Sequence, residues 1–164
     1  MKKTSIIAVA AALTLIAGGL GLAQGQGSYQ RHKAEIDLTR AMVQTDRKSI
    51  VATNMSLSSE QREAFWPVYN RYRTAMAGVE DRRVKLITRY ADAYVGNKLS
   101  DEQALALLNE FLSIERERLK VKRRYINQFK KVIPPKKVVR FFQVDHRLDT
   151  VINLAIAKNV PLVR

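Results

Sequence analysis

The stretch from Leu99 to Ile133 most constrains the fold, because it contains neither Gly nor Pro and stops at Pro134-Pro135. Apolar residues recur along it at intervals typical of one helical face that packs on another helix. About 30 residues at about 1.5 Å each give a rod of roughly 45 Å. The sequence therefore predicts a long helix here. The residues expected on its packed face are Leu105, Leu108, Leu112, Leu119, Ile126, Phe129 and Ile133.

Two short segments predict where the long helices begin. Each contains a Ser three residues before a Gln, first at residues 57–61 and again at residues 99–103. In such a capping box the Ser hydroxyl accepts the N3 amide, and the N3 side chain accepts the cap amide. A Leu precedes the Ser in both segments. The predicted helix-capping residues are Leu57, Ser58, Gln61, Leu99, Ser100 and Gln103.

The rest of the chain predicts three further helices and no strand. One covers about Ala34–Asn54, and one runs from the first capping box to about Val95, where Gly96-Asn97 ends it with residues that tolerate left-handed geometry. A last helix begins at Pro135, which fits the first helical position, and ends near Asn159. The expected apolar face of the second helix comprises Phe65, Tyr69, Tyr72, Met76, Val79, Leu86 and Tyr90. The expected apolar face of the fourth helix comprises Val138, Phe141, Phe142, Leu148, Val151, Ile152 and Ala155.

The predicted fold is all-α: a long antiparallel helical hairpin with flanking helices, four helices in total. The hairpin follows from the short loop near residue 98, which leaves the second and third helices no other arrangement. Pairing about that loop would bring Arg83 close to Glu115. Each interrupts an apolar series, so we expect an ion pair that sets the register.

The first 23 residues predict a secretory signal peptide. Met1-Lys2-Lys3 is a positive start, Ile6–Ile16 is an apolar core, and Gly21-Leu22-Ala23 offers small residues for cleavage before Gln24. We therefore expect a periplasmic protein with a flexible leader at 24–33 and a single helical domain at 34–164. The chain has no Cys, so neither a disulfide nor thiol chemistry is available.

The charge balance is strongly basic, with a formal net charge of +14. Removing Lys2 and Lys3 leaves +12, most of it between residues 116 and 140. A field of this sign attracts polyanions. For an exported protein the polyanions within reach are acidic protein segments or anionic envelope surfaces. Nucleic acid is not expected as a partner. The predicted client- or partner-binding residues are Arg116, Lys120, Arg123, Arg124, Lys130, Lys136 and Lys137.

Enzyme signatures are absent from the sequence, which has no phosphate-binding glycine loop, no nucleophile elbow and no zinc-protease motif. We expect no catalytic residues and no cofactor. The histidines His32 and His146 each have an acidic neighbour, but a zinc site needs three or four convergent ligands. Surface histidines are therefore the favoured interpretation, and no metal site is predicted.

The paired Leu-Ser-x-x-Gln segments, the export signal and the helical chain resemble the LTxxQ-motif periplasmic proteins, the Spy/CpxP family. Both motifs carry Ser58 or Ser100 where that family usually has Thr. The resemblance implies a four-helix fold, a curved homodimer, and an ATP-independent holding chaperone or envelope-stress modulator. It also implies that basic residues of the third helix contact unfolded clients.

Two functions remain open from the sequence. One is a periplasmic holding chaperone, or envelope-stress-related binding protein, that uses a basic helical face. The other is a regulatory module that docks on an acidic sensor or envelope protein through the same face. A lipid-surface binder is a third reading of the same charge.

Overall fold

The computed structural model describes residues 24–96 and 98–163, with side chains described for residues 34, 37, 38, 41–96 and 98–163. These residues form four helices and no strand, which confirms the predicted all-α class. The predicted signal peptide, residues 1–23, lies outside the described residues. The helices are α1 (Gln24–Met55), α2 (Ser59–Val95), α3 (Asp101–Phe129) and α4 (Pro135–Asn159).

Both predicted capping boxes are present. The Ser58 hydroxyl accepts the amide of Gln61 at 3.3 Å, and the Gln61 side chain accepts the amide of Ser58 at 3.2 Å. Ser100 and Gln103 repeat the exchange at 3.2 and 3.1 Å. Each box satisfies two backbone donors that a helix start would otherwise leave without a partner.

The end of α2 lies where the sequence predicts it, whereas α1 begins earlier than predicted. Gly96 has a right-handed φ of −73° and does not use the left-handed geometry that glycine tolerates. Its amide donates to Asp92 in helical fashion at 3.1 Å. Residues 24–33, predicted as a flexible leader, belong to α1. Extending an existing helix adds one hydrogen bond per residue, which offsets the poor helix propensity of Gly25 and Gly27.

Two pairs of helices make most of the packing: α2 lies along α3, and α1 lies along α4. Ring contacts between α2 and α3 run in opposite chain order, with Tyr72 against Tyr125 and Phe65 against Phe129. Phe141 of α4 contacts both Phe65 and Phe129, so the two helix pairs share one aromatic core.

The apolar face predicted for α2 is the buried one, except at Tyr90, which is partly exposed. The face predicted for α4 is buried at Val138, Phe141 and Leu148, whereas Val151 is exposed. For α3 the prediction is largely wrong. Only Phe129 and Ile133 of the expected series are buried.

A different face of α3 enters the core, because this helix carries two apolar rows. The side chains of α3 that are buried are Ile114, Val121, Tyr125 and Phe129. The row that remains exposed, called the Leu stripe below, comprises Leu105, Leu108, Leu112, Leu119 and Ile126.

No helix among the described residues has both the length and the apolar character required to cross a bilayer.

The first prediction concerns the cap of α2. Replacing Ser58 with Ala removes the acceptor for the Gln61 amide and should lower the free energy of unfolding by about 1 kcal/mol. The control is Ser59→Ala at the next residue, which lies inside the helix and should change it by less than about 0.5 kcal/mol. Chemical denaturation measures both. Equal losses in the two variants would contradict the capping role.

Candidate binding face and buried charge network

Asp145 of α4 is the centre of a polar cluster inside the core, where it is 1% exposed. Arg47 of α1 donates to its Oδ1 atom at 2.6 Å, and the Tyr72 hydroxyl of α2 donates to Oδ2 at 2.6 Å. The Lys122 ammonium of α3 lies 3.6 Å from the same Oδ2. One carboxylate therefore contacts side chains from the three other helices.

Asp149, one turn further along α4, extends the cluster. Its Oδ1 atom accepts from Arg47 at 2.9 Å. Its Oδ2 atom accepts from Lys122 at 3.1 Å and also from the guanidinium of Arg118. Burial alone would raise the pKa of Asp149, but Lys122, Arg47 and Arg118 together hold it below its ordinary value. The buried charge network consists of Arg47, Tyr72, Arg118, Lys122, Asp145 and Asp149.

Sequence reasoning missed this network, although a signal for it exists. Asp145 and Asp149 interrupt the apolar face of α4 between Phe141 and Ile152. Arg47 likewise lies midway between the buried Val43 and Val51 of α1. Charges of opposite sign on two apolar faces predict a buried pair, because a buried charge is tolerated when it is paired.

Four of the predicted binding residues are exposed on one side of α3, and a fifth, Lys130, is exposed directly after the last residue of that helix. None of them forms an ion pair with another described residue, and the one side-chain hydrogen bond among them joins the Arg116 Nε atom to a carbonyl of its own helix. They recur at helical spacing beside the Leu stripe. This basic face consists of Arg116, Lys120, Arg123, Arg124 and Lys130.

The two predicted binding residues at the start of α4 have different environments. Lys136 is exposed, but Lys137 donates to the carbonyl of Ser56 at 2.6 Å and to the side chain of Gln61 at 2.9 Å. Arg140 likewise donates to the carbonyl of Asn54. Positive groups at a helix C-terminus satisfy its last carbonyls and favour its dipole. Lys137 thus caps α1 and is not part of the exposed face.

The ion pair predicted between Arg83 and Glu115 is not a direct contact in the described structure. Arg83 donates to the side chain of Asn153 at 2.6 Å, and Glu115 lies 3.8 Å from Arg118 of its own helix. Both residues line the same small cavity between α2, α3 and α4. Burial lowers the pKa of Arg83, and the nearby Glu115 opposes that effect.

Metal-ligand residues do not gather in the described part of the chain, where no group of three or more His, Cys, Asp or Glu could hold an ion. His146 is exposed on α4. The side chain of His32 lies outside the described residues.

Comparison of the chain with protein-family models, with curated proteins and with solved structures gives no match.

The second prediction concerns acid stability. Because the folded pKa of Asp149 is lowered from 3.8, its contribution is present above about pH 4 and is lost as the pH falls through the folded value. In the variant Asp149→Asn, three cationic side chains lose a buried negative partner. The free energy of unfolding should therefore fall by about 3–5 kcal/mol at pH 7. The free energy of unfolding of this variant should also fall less steeply than that of the wild type below about pH 4.

The matched control for this variant is Asp46→Asn, which changes an exposed aspartate beside Arg47 and should cost less than about 0.5 kcal/mol. Denaturant unfolding at a series of pH values measures both. Parallel pH profiles for the wild type and Asp149→Asn would contradict the assignment.

The third prediction separates two neighbouring lysines. Lys137→Met removes a charged donor from the end of α1 and should lower the free energy of unfolding by about 1–2 kcal/mol. Lys136→Met removes the same charge from an exposed site and should have less than about 0.5 kcal/mol of effect. Thermal unfolding of the two variants gives the comparison. If Lys136→Met proved the more costly change, Lys137 would not be the cap.

Proposed function

We propose that this protein is an exported, ATP-independent holding chaperone that binds unfolded or acidic protein segments. The observation that carries the proposal is the basic face of α3, which lies exposed beside the equally exposed Leu stripe. Positive charge attracts acidic segments over long range, and adjacent apolar side chains hold unfolded chains by short-range contact.

The distribution of acidic residues supports this proposal. If the charges of α3 served only to keep the protein soluble, a mixture of positive and negative side chains would do so equally well. Here Glu117 is paired with Arg82, and Glu110 is paired with Arg89, on the side of α3 that faces α2. The basic face beyond them is left without neutralising partners among the described residues.

The finer parts of the proposal concern family and compartment. The two capping boxes and the helix order suit the long helical hairpin that a resemblance to the LTxxQ-motif proteins implies. A periplasmic location rests on the apolar segment at residues 6–16 and the small residues before Gln24. N-terminal sequencing of the exported protein tests the cleavage site, and an intact Met1 would contradict it.

The fourth prediction tests the basic face itself. The double variant Lys120→Glu with Arg124→Glu should reduce protection of an aggregating acidic client by at least about fivefold, because it reverses the local field. Its matched control, Arg71→Glu with Lys85→Glu, makes the same change in net charge at exposed sites of α2 and should retain protection. Light scattering of the client, at low and at high salt, gives the readout.

Two results would contradict the chaperone proposal. One is an absence of protection by the wild-type protein at low salt. The other is an equal loss in both double variants, which would show that net charge alone matters. If one envelope protein dominates a pull-down and aggregation is not suppressed, the regulatory module that docks on an acidic partner becomes the better description.

A further inference from the structure

The Leu stripe is a row of exposed apolar side chains that runs along most of α3. Its five members are between 36% and 60% exposed, although each is a large apolar side chain. From Leu105 to Ile126 the stripe covers roughly 30 Å of helix, at about 1.5 Å per residue. Apolar rows of this size on a soluble protein mark interaction sites.

The basic face lies along one edge of the Leu stripe. Successive residues of a helix are turned by about 100°, which places Arg116 and Arg123 beside the stripe on this edge and Glu115 on the opposite edge. No Lys or Arg occurs between residues 101 and 115. The basic face therefore borders only the C-terminal half of the stripe.

The spacing of the apolar row decides which backbone conformation stays in contact with it. Side chains on one face of a helix recur about every 5.4 Å along its axis. Those on one face of a strand recur about every 6.6 Å. A second helix laid along α3 therefore stays in step with the Leu stripe. An extended segment does not, and the described residues contain no sheet edge to complete its backbone hydrogen bonds.

We propose that the segment bound here is an amphipathic helix with an apolar row and acidic residues along one flank. Its apolar row packs on the Leu stripe, at positions spaced as in other helices that bind in a groove. Its carboxylates lie over Arg116, Lys120 and Arg123. The acidic flank need extend over only half of the segment, because the basic face borders only half of the stripe.

This inference rests on the proposed function and names the class of client: an acidic segment that is unfolded alone and becomes helical on α3. Ordering a flexible segment costs part of the free energy gained by contact. The complex therefore stays reversible, as a holding chaperone requires.

An anionic bilayer is the other surface that exposed leucines beside basic residues would attract. Two acidic side chains argue against it. Glu115, which is 37% exposed, lies on the edge of the stripe opposite the basic face. Asp101 is exposed at the N-terminal end of the stripe. A bilayer would meet both edges alike, whereas a helix with one acidic flank meets the basic edge alone.

The fifth prediction uses three synthetic peptides of about 21 residues with Leu at intervals of three and four. The first carries Glu along one flank, and the second carries Lys there. The third keeps the Glu but has two prolines on its outer face, which bar a helix without changing the Leu row or the charge. Anisotropy of the labelled peptides at low salt should show the first bound at least about tenfold more tightly than the others.

Two double variants of the protein locate the site. Leu112→Glu with Leu119→Glu places charge in the Leu stripe and should weaken binding of the first peptide at least about tenfold. The control, Leu38→Glu with Met42→Glu, makes the same change in net charge at exposed apolar residues of α1 and should change binding by less than about threefold. Unchanged helical circular dichroism confirms that each variant is folded.

Four results would overturn the inference. Equal affinity for the first and third peptides would mean that the bound segment is not helical, and equal affinity for the first and second would remove the charge pairing. An equal loss of binding in both double variants would remove the site. Loss of binding to vesicles containing phosphatidylglycerol, but not to the peptide, in Leu112→Glu with Leu119→Glu would make the stripe a lipid-binding surface.

The aggregation assay of the fourth prediction distinguishes this inference from the proposed function. Client protection without a preference among the three peptides would support the chaperone and overturn the helical client. The expected preference without client protection would overturn the chaperone and leave a docking site for an acidic helix.

Discussion

The contact of Arg47 with Asp145 and Asp149 is the interaction on which the arrangement of the four helices depends. The two carboxylates lie on α4, and their partners come from α1, α2 and α3. A buried charge that loses its partner is strongly unfavourable, so a shift of any one helix relative to α4 would be costly. Apolar burial is non-directional, whereas each hydrogen bond of this set constrains the distance and angle between its two partners. We infer that the aromatic core supplies most of the stabilisation and the charges select the arrangement.

This network also decides which positive charges remain for other molecules. Between residues 116 and 140 every charged residue except Glu117 is basic, yet Arg118 and Lys122 neutralise Asp149, and Lys137 and Arg140 cap α1. The basic residues of this range that make none of these contacts are exposed, and those on α3 form a single side of the helix. A count of charged residues therefore overstates the positive charge that the surface presents. The position of each basic residue around its helix shows which charges are exposed.

Sequence reasoning predicted well the features that depend on local chemistry. The capping boxes, the start of α4 at Pro135 and the buried face of α2 follow from a few neighbouring residues, and all are present. Sequence reasoning failed where the burial of a side chain depends on which face of its helix packs against another helix. α3 has one apolar row that includes Ile114 and Val121 and another that includes Leu108 and Leu119, and periodicity does not distinguish them. The aspartates of α4 were missed because polar residues were expected to face solvent. The same expectation holds for the five residues of the basic face, which are exposed.

The distance along the chain between α1 and α4 has a consequence for how the protein opens. Arg47 and Asp145 are separated by 98 positions, whereas α2 and α3 are joined by a connection of a few residues. Closing a longer loop costs more entropy, so contacts between the first and last helices form at greater cost than those within the central pair. Partial opening would therefore begin with separation of the outer helices. Such a state would release the two aspartates to solvent and uncover aromatic surface while the middle of the chain keeps its shape.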